Sequence, residues 1–142
     1  MRISVVAVGK LKDDRLQGLC AEYLQRTLAF LRIAEVEVRN IDGIRQRIKT
    51  QPGIHILLDE RGQQLTSSVW AEKFQQWQLA PVPQVQFYIG DADGFTDEDR
   101  NLTQHVWGLS RLTLPHRLVR VIVFEQLYRA ATLLAGHPYH KF

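Results

Sequence analysis

The sequence has too few cysteines for a disulfide framework and no apolar run long enough to span a membrane. Cys20 is the single cysteine, so no disulfide can form within the chain, which is typical of a reducing compartment. Cys20 lies among apolar residues at helical spacing, which predicts a buried structural thiol rather than a nucleophile. The amino-terminal residues lack the apolar core and the cleavage site of a signal peptide. We therefore expect a cytoplasmic protein.

A large charge excess is also absent. The net charge of +3 permits contact with nucleic acid without demonstrating it. The positive residues concentrate in the carboxyl-terminal part of the chain, whereas residues 91–99 are acidic; an ordinary solvated surface explains both equally well. Internal repeats, low-complexity segments and linkers are missing too, so we expect residues 1–142 to form a single domain.

Apolar periodicity predicts strands that alternate with helices. Three of the predicted helices have a candidate amino-terminal cap: Asp13 or Asp14, Thr66 or Ser67, and Thr96 in a capping box with Asp99. This alternation predicts an α/β fold with a mainly parallel sheet. The predicted strands cover residues 3–8, 35–41, 54–58, 85–89 and 105–109.

The last predicted helix runs from about residue 117 to residue 135 and stops at Gly136. Apolar residues cover nearly its whole circumference, so it should be buried on several sides. In so small a domain, this favours burial against a second subunit as well as against the sheet of its own chain.

Ligands bind outside the carboxyl ends of the strands in a parallel sheet. Three loops follow predicted strands there, over residues 58–62, 89–94 and 109–114. The second loop is not a phosphate-binding glycine motif, and no Walker lysine follows it. It also lacks ligands that a calcium loop requires, so we expect no metal.

The tail at residues 137–141 contains two histidines and one tyrosine. Composition alone is compatible with a frayed terminus. On composition alone the frayed terminus is favoured over the alternative, a tail that covers a site and supplies hydrogen bonds, a base or contacts to RNA.

Several sequence blocks together resemble the ribosomal RNA large-subunit methyltransferase H family, the pseudouridine N3-methyltransferases of the SPOUT class. The resemblance covers essentially the whole chain, and the blocks stand in order. They read VAVGKLK at 6–12, LLDERG at 57–62, YIG at 88–90, GF at 94–95, LSRLTLPH at 109–116, VRV at 119–121, EQLYRA at 125–130 and HPYHK at 137–141.

The resemblance implies a SPOUT α/β fold with a carboxyl-terminal trefoil knot, a rare topology. It implies a homodimer whose long terminal helices pack together. The implied reaction is methyl transfer from S-adenosylmethionine to N3 of a pseudouridine in the helix 69 loop of 23S rRNA, within the assembled ribosome. By the same resemblance, contacts to the methyl donor fall on Leu58, Gly90, Leu109, Ser110, Arg111, Leu112, Thr113 and Leu114.

The side chains expected to act in catalysis follow from the resemblance and from the chemistry. N3 of pseudouridine must lose a weakly acidic proton, and the candidate bases are His116, Glu125 and His140. Arg120 and Arg129 are candidates to stabilise the developing anion or to bind phosphate, although Glu125 and Arg129 are also spaced for an ion pair on one helix. The expected RNA contacts are Arg120, Arg129, Tyr139, as a stacking platform, His140 and Lys141.

Two departures from the family pattern leave alternatives open. Asp91 stands where the family's second glycine loop has a glycine; aspartate tolerates left-handed backbone, but it adds a negative charge near the expected donor site. The segment between residues 40 and 54 is short for the family. The alternatives are a ribosome-binding factor without turnover and a SPOUT methyltransferase that acts on another RNA, such as transfer RNA.

Overall fold

The computed structural model describes residues 1–141, which form one sheet of five parallel strands between helices. The order of strands across the sheet is β2-β1-β4-β3-β5, and every neighbouring pair is parallel. The predicted α/β fold with a parallel sheet is therefore confirmed. The strands are β1 (Arg2–Val8), β2 (Arg32–Val38), β3 (Ile54–Gln64), β4 (Gln84–Ile89) and β5 (His105–Gly108). The helices are α1 (Asp14–Thr27), α2 (Ile41–Thr50), α3 (Ser67–Leu79), α4 (Asp97–Arg100) and α5 (His116–Ala135).

The sheet separates two apolar clusters of unequal size. Helices α1, α3 and α5 cover one face, where Phe74, Phe87, Phe124 and Leu127 are completely buried. Helix α2 covers the other face around Ile44, in a smaller cluster. Since strands covered on both faces read as continuous apolar runs, this explains why β1, β3 and β4 were readable from the sequence.

Capping side chains fix where the helices begin. Asp13 accepts hydrogen bonds from the first turn of α1, and Thr66 accepts one from α3. Thr96 and Asp99 form the reciprocal capping box of α4, as predicted. Trp70 and Phe74 on α3 are buried, as the helical spacing indicated.

Two element boundaries differ from the prediction. Strand β2 ends at Val38, and Ile41 is the first residue of α2, because Asn40 caps that helix by accepting from the Gly43 amide. The expected strand over residues 35–41 was therefore placed three residues too late. Strand β3 does not stop at Leu58 but continues to Gln64 after a register shift against β5.

Helix α5 runs from His116 to Ala135. Gly136 caps its carboxyl end with a φ of 72°, a backbone conformation that only glycine adopts easily. Its buried residues include Val123, Phe124 and Leu127, so the predicted burial of this helix is confirmed. Leu118 nevertheless remains 43% exposed. Within residues 1–141, no helix combines the length and apolarity needed to cross a lipid bilayer.

We predict opposite effects of two glycine-to-alanine substitutions on the free energy of unfolding. A Cβ at Gly62 would lie 2.5 Å from the backbone of Val106, so Gly62→Ala should destabilise the protein by about 2 kcal/mol through overpacking against β5. Gly18, exposed within α1, has no atom near its Cβ position, so Gly18→Ala should stabilise the protein by up to about 1 kcal/mol. Urea unfolding of both variants measures the difference; equal effects would contradict this description of β3 and β5.

Candidate functional site

The three segments predicted as loops at the sheet edge line one cavity of about 370 Å³. Residues 58–62, predicted as a loop, instead belong to β3, where its register against β5 shifts. Parallel pairing places this segment beside the loops that follow β4 and β5. We call the irregular segment of β3 the first loop (residues 58–62), and the other two the second loop (89–95) and the third loop (109–115). Seven of the eight expected donor contacts line the cavity: Leu58, Gly90, Leu109, Ser110, Leu112, Thr113 and Leu114.

The remaining expected donor contact, Arg111, belongs to the third loop but is exposed and does not line the cavity. His116 lies at the rim of the same cavity, at the start of α5. Leu112, also on the rim, is 72% exposed.

The second loop closes as a turn despite Asp91. The Asp91 carbonyl accepts from the Gly94 amide at 3.0 Å, and its carboxylate accepts from the Asp93 amide at 3.0 Å. Gly94 has the left-handed backbone, with a φ of 72°, whereas Asp91 does not. The turn therefore needs no left-handed aspartate, and the carboxylate itself stabilises it.

Two adjacent carboxylates join the first loop to the other two. Asp59 accepts a hydrogen bond from Arg100, which also lines the cavity, at 2.9 Å. Glu60 accepts one from the hydroxyl of Thr113 in the third loop at 3.1 Å. Sequence reasoning missed Arg100, because its partner Asp59 is distant in sequence. The only local signal was the spacing of Arg100 and Asp97, which suits an ion pair on one helix.

A second group of side chains lies where the tail packs against α5. The ring of Tyr139 meets that of Tyr128 edge-on at 4.6 Å, and its hydroxyl donates to Glu125 at 3.2 Å. Arg129 donates to Glu125 and contacts Nδ1 of His140 at 3.0 Å. We call Glu125, Arg129, Tyr139 and His140 the tail cluster. The tail is thus packed rather than frayed.

The surroundings of Tyr139 favour the protonated form of its phenol. Burial, together with the neighbouring Tyr23 hydroxyl and the Glu125 carboxylate, raises the pKa of Tyr139 to about 12. The phenol therefore remains a hydrogen-bond donor to Glu125 at neutral pH. Glu125 also accepts from Arg129 and Gln126, so the ion pair expected from the spacing of Glu125 and Arg129 is present.

The tail cluster and the cavity are separate within one subunit. No residue of the tail cluster lines the cavity. Glu125 and Arg129 follow His116 along α5, and at the rise of an α-helix they lie about 14 and 20 Å further along its axis. The structure therefore brings the expected donor contacts and His116 together, but places Glu125, Arg129, Tyr139 and His140 elsewhere. Lys141 is exposed at the end of the tail.

Arg120 is buried, with 3% of its surface exposed. One guanidinium nitrogen donates to the carbonyls of Val8 and Gly9, both at 2.7 Å, and joins α5 to the end of β1. Its Nη1 is buried without a hydrogen-bond partner among residues 1–141. An RNA phosphate has no access to Arg120 in this arrangement, which favours a structural role over the expected contact with RNA.

Cys20 is buried as predicted, and desolvation raises its pKa to about 11. A thiol in that state is a poor nucleophile. Among the described residues, no three histidine, cysteine or acidic side chains are grouped as metal ligands.

Comparisons with known proteins point to one family. Residues 1–140 match the family described as "Predicted SPOUT methyltransferase". Ribosomal RNA large subunit methyltransferase H of Gloeobacter violaceus is 42% identical, and the alignment covers 99% of each chain. The protein of the same name from Koribacter versatilis is 35% identical over 99% of this chain and 98% of its own.

A solved structure supports the fold. A probable methylase family protein from Haemophilus influenzae Rd KW20 aligns with a TM-score of 0.63 and 12% identity, over 99% of this chain and 70% of its own. At that identity the likeness concerns the fold alone. The predicted SPOUT class is confirmed by the family match, while the threading of the implied trefoil knot stays a prediction.

We predict that the Glu125 carboxylate holds the tail against α5. In Glu125→Ala, Arg129 and Tyr139 both lose their acceptor, so the His137 amide, which donates to the Thr132 carbonyl at 2.9 Å where the tail begins, should exchange with deuterium at least about tenfold faster. Tyr139→Phe, which removes one hydroxyl, should have a smaller effect. Hydrogen exchange followed by mass spectrometry measures both, and an unchanged tail in Glu125→Ala would contradict the assignment.

Proposed function

Because this chain belongs to the ribosomal RNA large subunit methyltransferase H family of SPOUT methyltransferases, we propose that it methylates ribosomal RNA with S-adenosylmethionine as the methyl donor. The acceptor we propose is N3 of a pseudouridine in the helix 69 loop of 23S rRNA, on the assembled ribosome in the cytoplasm. The observation that carries the proposal is the single cavity enclosed by three loops at the carboxyl edge of the sheet. One domain, residues 1–142, performs the reaction.

The cavity suits a nucleoside with a cationic sulfonium. Its volume of about 370 Å³ lies within the range of small-molecule sites. Leu58, Leu112 and Leu114 offer apolar walls for adenine, and Gly90 leaves the backbone of the second loop accessible. The carboxylate of Asp91 on the lining favours a positive charge, whereas that of Asp59 is already paired with Arg100. Bound there, S-adenosylmethionine supplies an electrophilic methyl group.

The acceptor base must lose its N3 proton as the methyl group is transferred. Of the candidate bases, His116 is the one on the cavity rim of the same subunit. Glu125 already accepts hydrogen bonds from Arg129, Gln126 and Tyr139. This engagement favours an orienting role for Glu125 and leaves His116 and His140 as the bases to test.

We infer that two copies of the chain complete each site. The tail cluster is too far from the cavity of its own subunit to meet a substrate held there, and Leu112 and Leu118 are exposed near the cavity end of α5. A homodimer that packs the α5 helices together would cover apolar surface and bring one tail to the other cavity. Arg129, Tyr139, His140 and Lys141 would then contact the RNA of the partner's site.

We expect the purified protein to bind S-adenosylmethionine by isothermal titration calorimetry and to methylate ribosomes from a strain that lacks the modification. Mass spectrometry of the helix 69 fragment should show one added methyl group on the pseudouridine. Free 23S rRNA and transfer RNA are the controls for substrate choice. Absence of donor binding at millimolar concentration, or preferential methylation of transfer RNA, would contradict the proposal.

A mixed-dimer experiment tests whether the site is shared. Gly90→Phe should fill the cavity, and Arg129→Ala should disable the tail cluster, so each variant alone should be inactive. In a random mixture half of the dimers are heterodimers with one intact site, so activity should recover to about a quarter of the wild-type value. If cavity and tail of one subunit act together, every site carries a defect and no activity returns.

A further inference from the structure

Arg100, on the short helix α4, joins three segments around the cavity. Its Nη1 donates both to the Asp59 carboxylate at 2.9 Å and to the Phe95 carbonyl at 2.8 Å. Its Nη2 donates to Asp97, one turn earlier on α4. Only 14% of the Arg100 side chain and 9% of the Asp59 side chain are exposed. This ion pair is thus far less screened by solvent than a surface pair.

Asp59 uses its two oxygens for two different loops. Oδ1 accepts from the backbone amide of Arg61 at 2.8 Å and so shapes the first loop. Oδ2 accepts from Arg100, which belongs to the chain that follows the second loop. The carboxylate therefore fixes the first loop relative to the second, although the two segments are far apart in sequence.

The contact to Phe95 extends this connection to the expected donor site. The ring of Phe95 is buried and lies 3.4 Å from where a Cβ at Gly90 would stand. Arg100 holds the carbonyl of the same residue. A shift of Arg100 would therefore move Phe95 and, with it, the backbone of the second loop at Gly90.

We propose that Arg100 and Asp59 are a positioning pair that sets the separation of the first and second loops and thereby the affinity of the site for the methyl donor. This proposal rests on the proposed function, since it assigns the cavity to S-adenosylmethionine. Because the pair is preformed, the site is held open in the shape that the donor requires and less conformational freedom is lost on binding. Arg100 acts through Phe95 and Asp59, not on the transferred methyl group.

Arg45, on α2, offers a matched control because it also pairs with a residue of α4. Arg45 donates through two nitrogens to Asp99, at 2.6 and 3.2 Å, and Asp99 is buried. Like Arg100, it anchors α4 by a long-range ion pair. Unlike Arg100, Arg45 does not line the cavity. Loss of the Arg45 pair should therefore affect stability without affecting the loops that hold the donor.

The test compares Arg100→Gln, Arg100→Lys and Arg45→Gln with the wild type, all as full-length protein. Titration calorimetry measures the affinity for S-adenosylhomocysteine, thermal unfolding measures stability, and hydrogen exchange without ligand reports on the Gly94 amide. Arg100→Gln should bind about tenfold more weakly, as is typical when a group that orients a binding residue is lost. Its Gly94 amide should also exchange faster.

Arg100→Lys keeps the charge but loses the planar fork, so it should recover part of the affinity. Arg45→Gln should lower the unfolding temperature and leave affinity within about twofold of wild type. If Arg100→Gln binds like the wild type, or if Arg45→Gln weakens binding equally, the positioning role is overturned. If the wild type does not bind S-adenosylhomocysteine, the proposed function is refuted instead. The exchange rate of the Gly94 amide in Arg100→Gln, compared with the wild type, then still decides whether Arg100 holds the second loop.

Discussion

Parallel pairing of β3, β4 and β5 is the constraint on which the site depends. Because all three strands run in one direction, the irregular segment of β3 and the loops after β4 and β5 lie at one edge of the sheet. Residues from all three of these segments, rather than from any single element, line the cavity. The carboxylates of Asp59 and Glu60 then fix the distances between the loops.

Helix α5, in contrast, keeps the other candidate catalytic residues apart. A helix is a rigid spacer, so His116 and Arg129 cannot approach each other within one chain. The chemistry implied for this family needs a donor, a base and an RNA contact at one point. The proposed homodimer would resolve this conflict, and the exposed apolar side chains near the amino-terminal end of α5 are consistent with such an arrangement.

Local patterns in the sequence were sufficient for most of the fold. Strands buried on both faces are continuous apolar runs, and helix caps such as Thr96 with Asp99 are short-range signals. The errors arose where two local rules competed: Asn40 begins a helix although residues 35–41 alternate like a strand. Contacts between distant residues, such as Arg100 with Asp59 or Arg120 with Val8, leave no pattern in the sequence, so the pairing and the burial of Arg120 could not be foreseen.

The hydrogen bonds from Arg120 to the carbonyls of Val8 and Gly9 connect the last helix to the first strand. During synthesis, β1 emerges from the ribosome before α5, so the face that β1 presents to α5 stays uncovered until α5 has been made. Loop closure over most of the chain must precede this contact, which is typical of slow folding. Completion of the core therefore waits for α5, and a chain that lacks α5 would keep the apolar face beneath this helix open to aggregation.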